Sequence, residues 1–289
     1  MKTLLIIDLA NTVIRSVAVH QQLSFNDVPT GGLFGVANQF ASCINKYHPT
    51  HVLLCRDTPP YLRKQLYPEY KQDRKKQGEG DLFSEMIQVS FKLVEKFFQL
   101  FQIPTWGIQG LEADDLIARA TIKYSEDFTF NKIFILSNDD DLNQLLRYPN
   151  ITLLRKNKDY DINSFKQDFP TIRHPEDWAL LSAMTGTHNG VKGIPRVGLK
   201  TALKYFSDTD PDKLIDVCLQ HEDLINRNLE LIQLPYPKFD WDSVAVPTLE
   251  KPQLNESELI RYLDLYGIRY SQSMTNAFYK YSTRNRTYG

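Results

Sequence analysis

Leu111-Glu112-Ala113-Asp114-Asp115-Leu116-Ile117-Ala118-Arg119-Ala120 sets three carboxylates within four residues at the head of an apolar helix. On a helix, Glu112 and Asp115 are three apart and share a face, while Asp114 points elsewhere. One or two acids there would be ordinary partners for the positive end of a helix dipole. Three packed anions repel one another unless something cationic sits among them. The reading therefore turns on where the other acids of the chain fall.

Working outward, Ile103-Pro104-Thr105-Trp106 reads as a short strand leading into this cluster. Beyond it, Lys132 to Ser137 reads as a strand, followed by Asn138-Asp139-Asp140-Asp141-Leu142, and Ile151 to Arg155 as another. Upstream, the apolar run Thr3 to Ile7 ends at Asp8, and His51 to Cys55 is followed by Arg56-Asp57. Between them, Leu33, Val36, Phe40 and Ile44 recur at helical spacing after Thr30-Gly31-Gly32, and Leu82 to Phe101 is a long amphipathic stretch. Residues 17–29 read as irregular. Strands alternating with helices predict an α/β fold, a mostly parallel sheet with helices on both faces. In such a sheet, ligands bind outside the carboxyl ends of the strands. Asp8, Asp57 and Asp139–Asp141 each follow a strand's carboxyl end, and Glu112–Asp115 follow one after a short loop. Four segments thus deliver acid to one edge. All-oxygen sites of this kind suit hard cations, above all Mg²⁺ or Mn²⁺. The bland alternative is four unrelated caps and turns, which must hold four times over.

The chain has 289 residues, 42% of them hydrophobic, and a net charge of −1. Its basic residues are concentrated: residues 62–76 hold Arg63, Lys64, Lys71, Arg74, Lys75 and Lys76 against Glu69 and Asp73. A basic patch beside an acidic cluster suits an enzyme that holds both a polyanion and metal ions. No apolar run reaches the roughly 18–20 residues that span a bilayer, which argues against a membrane protein. Three widely spaced cysteines point to a reducing compartment. The six histidines are scattered without zinc-like spacing, and no Ser–His or Cys–His nucleophile stands out. After about residue 174 helices dominate. There, Gly190 to Ala202 reads as two helices joined by a glycine-bounded turn, with Lys200 in the second. Backbone N–H groups at such a turn can hold a phosphate without reading sequence.

Together, Leu111-Glu112-Ala113-Asp114-Asp115, Ser137-Asn138-Asp139-Asp140-Asp141-Leu142-Asn143-Gln144-Leu145 and Tyr67-Pro68-Glu69-Tyr70-Lys71-Gln72-Asp73-Arg74 resemble the structure-specific 5′-nuclease family of flap endonucleases and 5′-3′ exonucleases. The resemblance runs in register from Asp8 to about Tyr205. It implies a PIN-like α/β nuclease domain over residues 1–173, with a threading arch over 62–100. It also implies a helical DNA-binding region over 174–289, with a helix–three-turn–helix. The implied activity is two-metal hydrolysis of phosphodiesters near 5′ ends of DNA, on flaps or RNA–DNA primers, in replication or repair. Asp8, Asp57, Glu112 and Asp114 match the family's first metal cluster. Asp115, Asp139 and Asp141 match ligands between the sites or on the second, while Asp140 is left as a solvated turn residue. Lys71 and Arg74, three apart on an expected helix, match residues that reach the scissile phosphate, and Tyr70 matches one that stacks on a terminal base. Lys75, Gly193, Arg196, Gly198 and Lys200 fall on the DNA-binding side. The resemblance further implies a cytoplasmic monomer working beside replication proteins in a bacterial cell or a phage-infected host.

The chain departs from the family's pattern in two places. Thr185-Gly186-Thr187-His188-Asn189-Gly190 replaces Gly-Asp-x-x-Asp-Asn, so two second-site aspartates become Gly186 and Asn189. One strong and one weak ion are therefore expected, and Gly186→Asp with Asn189→Asp is expected to tighten the second. Arg196 stands where the family often has glycine, so its guanidinium competes with a K⁺ ion as the turn's cation. The competing reading is a DNA-junction-binding homologue with weakened or lost catalysis. A related metal ribonuclease without the arch fits less well, because both 62–100 and 190–202 are present.

Overall fold

A computed structural model describes residues 2–72, 82–156, 158–187, 189–207, 211–251, 253–269 and 271–284. The strands are β1 (Thr3–Asp8), β2 (Ser24–Phe25), β3 (Val28–Pro29), β4 (His51–Cys55), β5 (Thr105–Trp106), β6 (Lys132–Leu136), β7 (Ile151–Arg155) and β8 (Lys158–Tyr160). Six of them form one sheet in the order β5-β4-β1-β6-β7-β8. All pairs are parallel except β7 with β8. The other two, β2 and β3, make a small antiparallel hairpin inside the stretch expected to be irregular.

Strand alternation explains why β1 and β4 are apolar throughout. Leu5, Ile7, Val52 and Leu54 enter one core, while Leu4, Ile6, Leu53 and Cys55 enter the other. A strand buried on both faces must carry apolar residues at successive positions. The first core is roofed by α1 (Leu9–Val19), α2 (Gly31–Tyr47) and α4 (Leu82–Gln99). At its centre Phe40 meets Phe97, Phe98, Phe101 and Phe278 edge-on or tilted, with ring centroids 5.1–6.2 Å apart. The second core takes α5 (Ala113–Glu126), a 3₁₀ helix over Asp140–Arg147 and α6 (Ile162–Asp168).

From Trp178 the main regular elements are helices joined by long irregular stretches: α7 (Trp178–Thr185), α8 (Leu199–Tyr205), α9 (Pro211–Gln220), α10 (Glu222–Ile232), α11 (Glu256–Leu265) and α12 (Gln272–Arg284). This stretch packs in more than one place. Leu259 and Leu263 of α11, and Met274, Ala277 and Phe278 of α12, join the first core beside α2 and α4. The helical run thus returns to cover the α/β sheet. Among the described residues no helix is long and apolar enough to cross a membrane.

Lys71 and Arg74 are expected on a helix, but the described residues 62–72 form only a four-residue helix, α3 (Arg63–Leu66). Pro68 to Lys71 run as turns, and Lys71 is left-handed with φ 55°. Lys71 is therefore not on a helix. Arg74 and Lys75, with the rest of 73–81, lie outside the described residues.

Candidate active site

β1 is the switch point of the sheet. Its neighbours β4 and β6 lie on opposite sides, so the loops leaving their carboxyl ends diverge and open a crevice. Asp8 ends β1 and caps α1, its Oδ1 accepting from Asn11 N at 3.0 Å. Its Oδ2 accepts from Ser137 Oγ at 2.8 Å, just past β6. Asn11 ties the same edge, accepting from the Asn138 main-chain N–H at 3.2 Å. Asp57, past β4, accepts from Ala113 N at 2.8 Å and so joins that loop to the head of α5. Asp139 caps the 3₁₀ helix by accepting from Asp141 N at 2.9 Å. Ser137 and Asn11 carry no charge, and nothing in their sequence setting marks them as braces.

These acids push one another toward the protonated form. Burial, then Asp57 and Asp139, raises Asp8 to about 7, against the pull of its hydrogen bonds from Asn11 and Ser137. Burial, then Asp139, raises Asp141 to about 8. Burial, then Asp139 and Asp8, holds Asp114 well above the usual carboxylate range. The Asp114 Oδ1 is buried with no hydrogen-bond partner. An orphaned acceptor amid acids that cannot all ionise fits a hard dication chemically. As placed, however, no three acidic, histidine or cysteine side chains among the described residues close around an ion. The cluster is open.

Two residues expected among the metal ligands are already committed to cations of the chain itself. Both oxygens of Asp115, which is fully buried, accept from Arg63: Nη1 to Oδ2 at 2.5 Å and Nη2 to Oδ1 at 2.7 Å. Tyr236 N adds a third bond at 2.8 Å and Glu112 N a fourth at 3.2 Å. In this structure Asp115 is thus a structural anion. Glu112 accepts from Lys71 Nζ and from Tyr70 Oη, the latter at 2.8 Å, with Arg63 Nη1 at 3.3 Å. Burial pushes its pKa up, but Lys71 and Arg63 outweigh that and hold it below the usual range. Tyr70 is buried, so it offers no ring face for base stacking here. Arg63 was legible only as part of a basic run, and its burial was not. Asp140 is exposed and pairs with Arg155 at 2.8 Å.

The substituted segment also differs from expectation. Gly186 has φ 79°, and a Cβ there would stand 2.6 Å from both Val191 O and Gly193 N. An aspartate cannot be restored at 186 without moving main chain, so Gly186→Asp would break the turn rather than add a ligand. Arg196 and Lys200 are exposed; Arg196 has φ 66°, and Gly198 caps the seven-residue α8. Gly193 packs against the end of α7, where a Cβ would meet Thr185 C at 2.3 Å.

A pH dependence follows. Asp8 and Asp141 titrate near 4 when unfolded and at about 7 and about 8 when folded. Between those values the folded state binds more protons, so stability falls as pH rises through the window. Melting in EDTA should therefore be several degrees higher at pH 5 than at pH 8, and excess Mn²⁺ should narrow the gap at pH 8. Equal melting at both pH values in EDTA would contradict the raised pKa values that burial, and then the neighbouring carboxylates, give Asp8 and Asp141.

Residues 3–170 match the family model of the 5′-3′ exonuclease N-terminal, resolvase-like domain. The flap endonuclease Xni of Psychromonas ingrahamii is 32% identical over 250 residues, covering 80% of this chain and 86% of that protein. A 5′-3′ exonuclease of Buchnera aphidicola subsp. Schizaphis graminum is 28% identical over 214 residues, covering 72% and 71%. A crystal structure of the T5 D15 protein, co-crystallised with metal ions, shares the fold at a TM-score of 0.62 and 18% identity, with 99% and 98% of the two chains covered. With its model match spanning the whole parallel sheet and the crevice at β1, the chain belongs to the 5′-3′ exonuclease family.

Proposed function

We propose that the chain hydrolyses phosphodiesters near the 5′ ends of DNA, at flaps or primers, with Mg²⁺ or Mn²⁺. The observation that carries this reading is the acidic crevice, where Asp8, Asp57, Asp114, Asp139 and Asp141 converge from three strand ends and one helix start. These five would hold the metal. A bound dication supplies a water of lowered pKa and a counter-charge for phosphate oxygens. The chain's own residues do the rest. Glu112 holds Lys71 Nζ beside the acids, where an ammonium can offset charge that develops on a phosphate. Ser137 and Asn11 fix the strand ends that carry Asp8 and Asp139. A second ion would be weaker, because positions 186 and 189 supply no carboxylate. A 5′-labelled flap incubated with Mg²⁺ or Mn²⁺ tests the reading, cleavage near the junction being expected. Tight binding in EDTA without cleavage by either ion would favour a junction-binding protein, a reading supported by the committed state of Glu112 and Asp115.

Duplex DNA would be held by the turn and helix after α7, where Lys192, Arg196 and Lys200 are exposed. Lys200→Ala should weaken duplex binding regardless of sequence and lower the salt slope by about one phosphate contact. An unchanged slope would make the turn a packing corner only.

A further inference from the structure

The segment that lost its two aspartates touches the residue proposed to act on the phosphate. The main-chain N–H of Lys71 donates to Asn189 O at 2.8 Å. We propose that Asn189, through this carbonyl, is a positioning residue for Lys71, so that the segment after α7 serves the reaction by fixing a cation. The inference rests on the role of Lys71 given above.

The backbone of Lys71 needs such support. A left-handed φ of 55° is unfavourable for a residue with a β-carbon and persists where its surroundings fix it. In that conformation the Lys71 N–H leaves the local turn and finds Asn189 O instead. Lys71 is buried, so this N–H has no ready water partner. The carbonyl thus selects the turn, and the turn sends Nζ to Glu112 at the edge of the acidic crevice.

Asn189 is itself held. Its N–H donates to Thr187 Oγ1 at 3.3 Å, and Thr187 N donates to Val191 O at 2.9 Å. Gly186 bridges Lys192, and Ile194 N donates to Met184 O at 2.8 Å. From α10 the fully buried Asn228 donates to Ala183 O at 2.8 Å and to Lys192 O at 2.9 Å, clamping both sides of the segment. Gly190 completes the fit. Its φ is 84°, a conformation that strains a residue with a β-carbon, whereas a Cβ there would stand 3.4 Å from Glu69 O, near ordinary contact; the backbone facing the 69–71 turn, more than lack of space, calls for glycine. Tyr70 packs into the same apolar cluster as Met184, Val191 and Ile194. The Arg227 guanidinium lies 5.0 Å from the Tyr67 ring centroid, which links α10 to this turn as well.

A double-mutant cycle tests the proposal. Single-turnover flap cleavage is measured at saturating Mn²⁺ for wild type, Gly190→Val, Lys71→Ala and the double variant. Gly190→Val should lower the rate about tenfold with flap affinity nearly unchanged, and should cost almost nothing further once Lys71 is alanine. The concentration of Mn²⁺ needed for half-maximal rate should not move. An equal loss in both backgrounds, a shifted metal requirement or no loss at all would overturn the proposal. A wild-type rate for Lys71→Ala would instead remove the reading of Lys71 on which it rests. Should Gly190→Val fail to fold, Thr187→Val, which exchanges only the hydroxyl that holds Asn189 N for a methyl, runs through the same cycle. The same non-additivity is expected of it, and full additivity would overturn the proposal.

Discussion

Asp114→Asn and Asp139→Asn proteins should fold and lose flap cleavage by on the order of a hundredfold or more. An amide keeps the shape of each side chain and removes the anion. Asp114 carries a buried oxygen with no partner, and the charge of Asp139 weighs on Asp8, Asp114 and Asp141 alike. On the proposed reading, both carboxylates serve the metal. The same argument sets the sign of their effect on stability. Removing one anion from a mutually repelling group relieves the rest, so both variants should melt at or above wild type in EDTA at pH 8. Lost activity together with retained stability distinguishes a functional acid from a structural one. Titration with Mn²⁺ provides an independent readout, since each variant should bind the ion more weakly. Cleavage at wild-type rate by both variants would dismiss the crevice as the site of reaction.

Much of this crevice was legible because strands buried on both faces leave continuous apolar runs, and the acid ending each run is conspicuous. Asp8, Asp57 and Asp139 were placed by that logic alone. The short β5 was legible too, although Pro104 lacks an N–H and only its carbonyl joins β4, accepting from Leu54 N at 3.0 Å. What failed depended on partners remote in sequence. Glu112 and Asp115 meet at the head of α5, Glu112 as the extended N-cap rather than on the helix itself, but nothing local says that Arg63 reaches both and Lys71 reaches Glu112. A run of lysines and arginines reads as solvated, yet Arg63 and Lys71 are buried. The loss of aspartate at 186 was plain, whereas the closeness of Val191 O and Gly193 N, which excludes any side chain there, arises only when the segment folds back on itself. Met274, Ala277, Phe278 and Tyr281 carry a helical apolar period, but its docking beside Phe40 is a tertiary fact.

Arg63→Met should lower stability by about 3–5 kcal/mol, whereas neutralising an acid of the crevice should lower it little or not at all. Arg63 and Asp115 are both buried, and the pair is bidentate. Taking a carboxylate and a guanidinium from water is costly, and their mutual attraction only roughly offsets that cost. Removing the cation alone leaves Asp115 with the full desolvation cost and only two main-chain donors, Tyr236 N and Glu112 N. Methionine fills most of the volume, so the loss reads on charge more than on packing. Arg63→Lys should recover only part of it, because an ammonium cannot make the planar two-bond contact while also reaching Leu231 O, which Arg63 Nε holds at 2.7 Å. The guanidinium also lies 4.7 Å from the Tyr236 ring centroid. Its loss should therefore loosen the end of α10, and amide exchange should speed up at Leu231 to Tyr236 before the parallel strands are affected. The decisive comparison is Arg63→Met with Asp115→Leu. Replacing both charges by apolar groups removes the orphaned anion, so the double variant should melt above Arg63→Met alone. If Asp115 were instead needed mainly to hold metal, Arg63→Met would melt near wild type and bind Mn²⁺ more tightly, because the freed carboxylate would join the crevice.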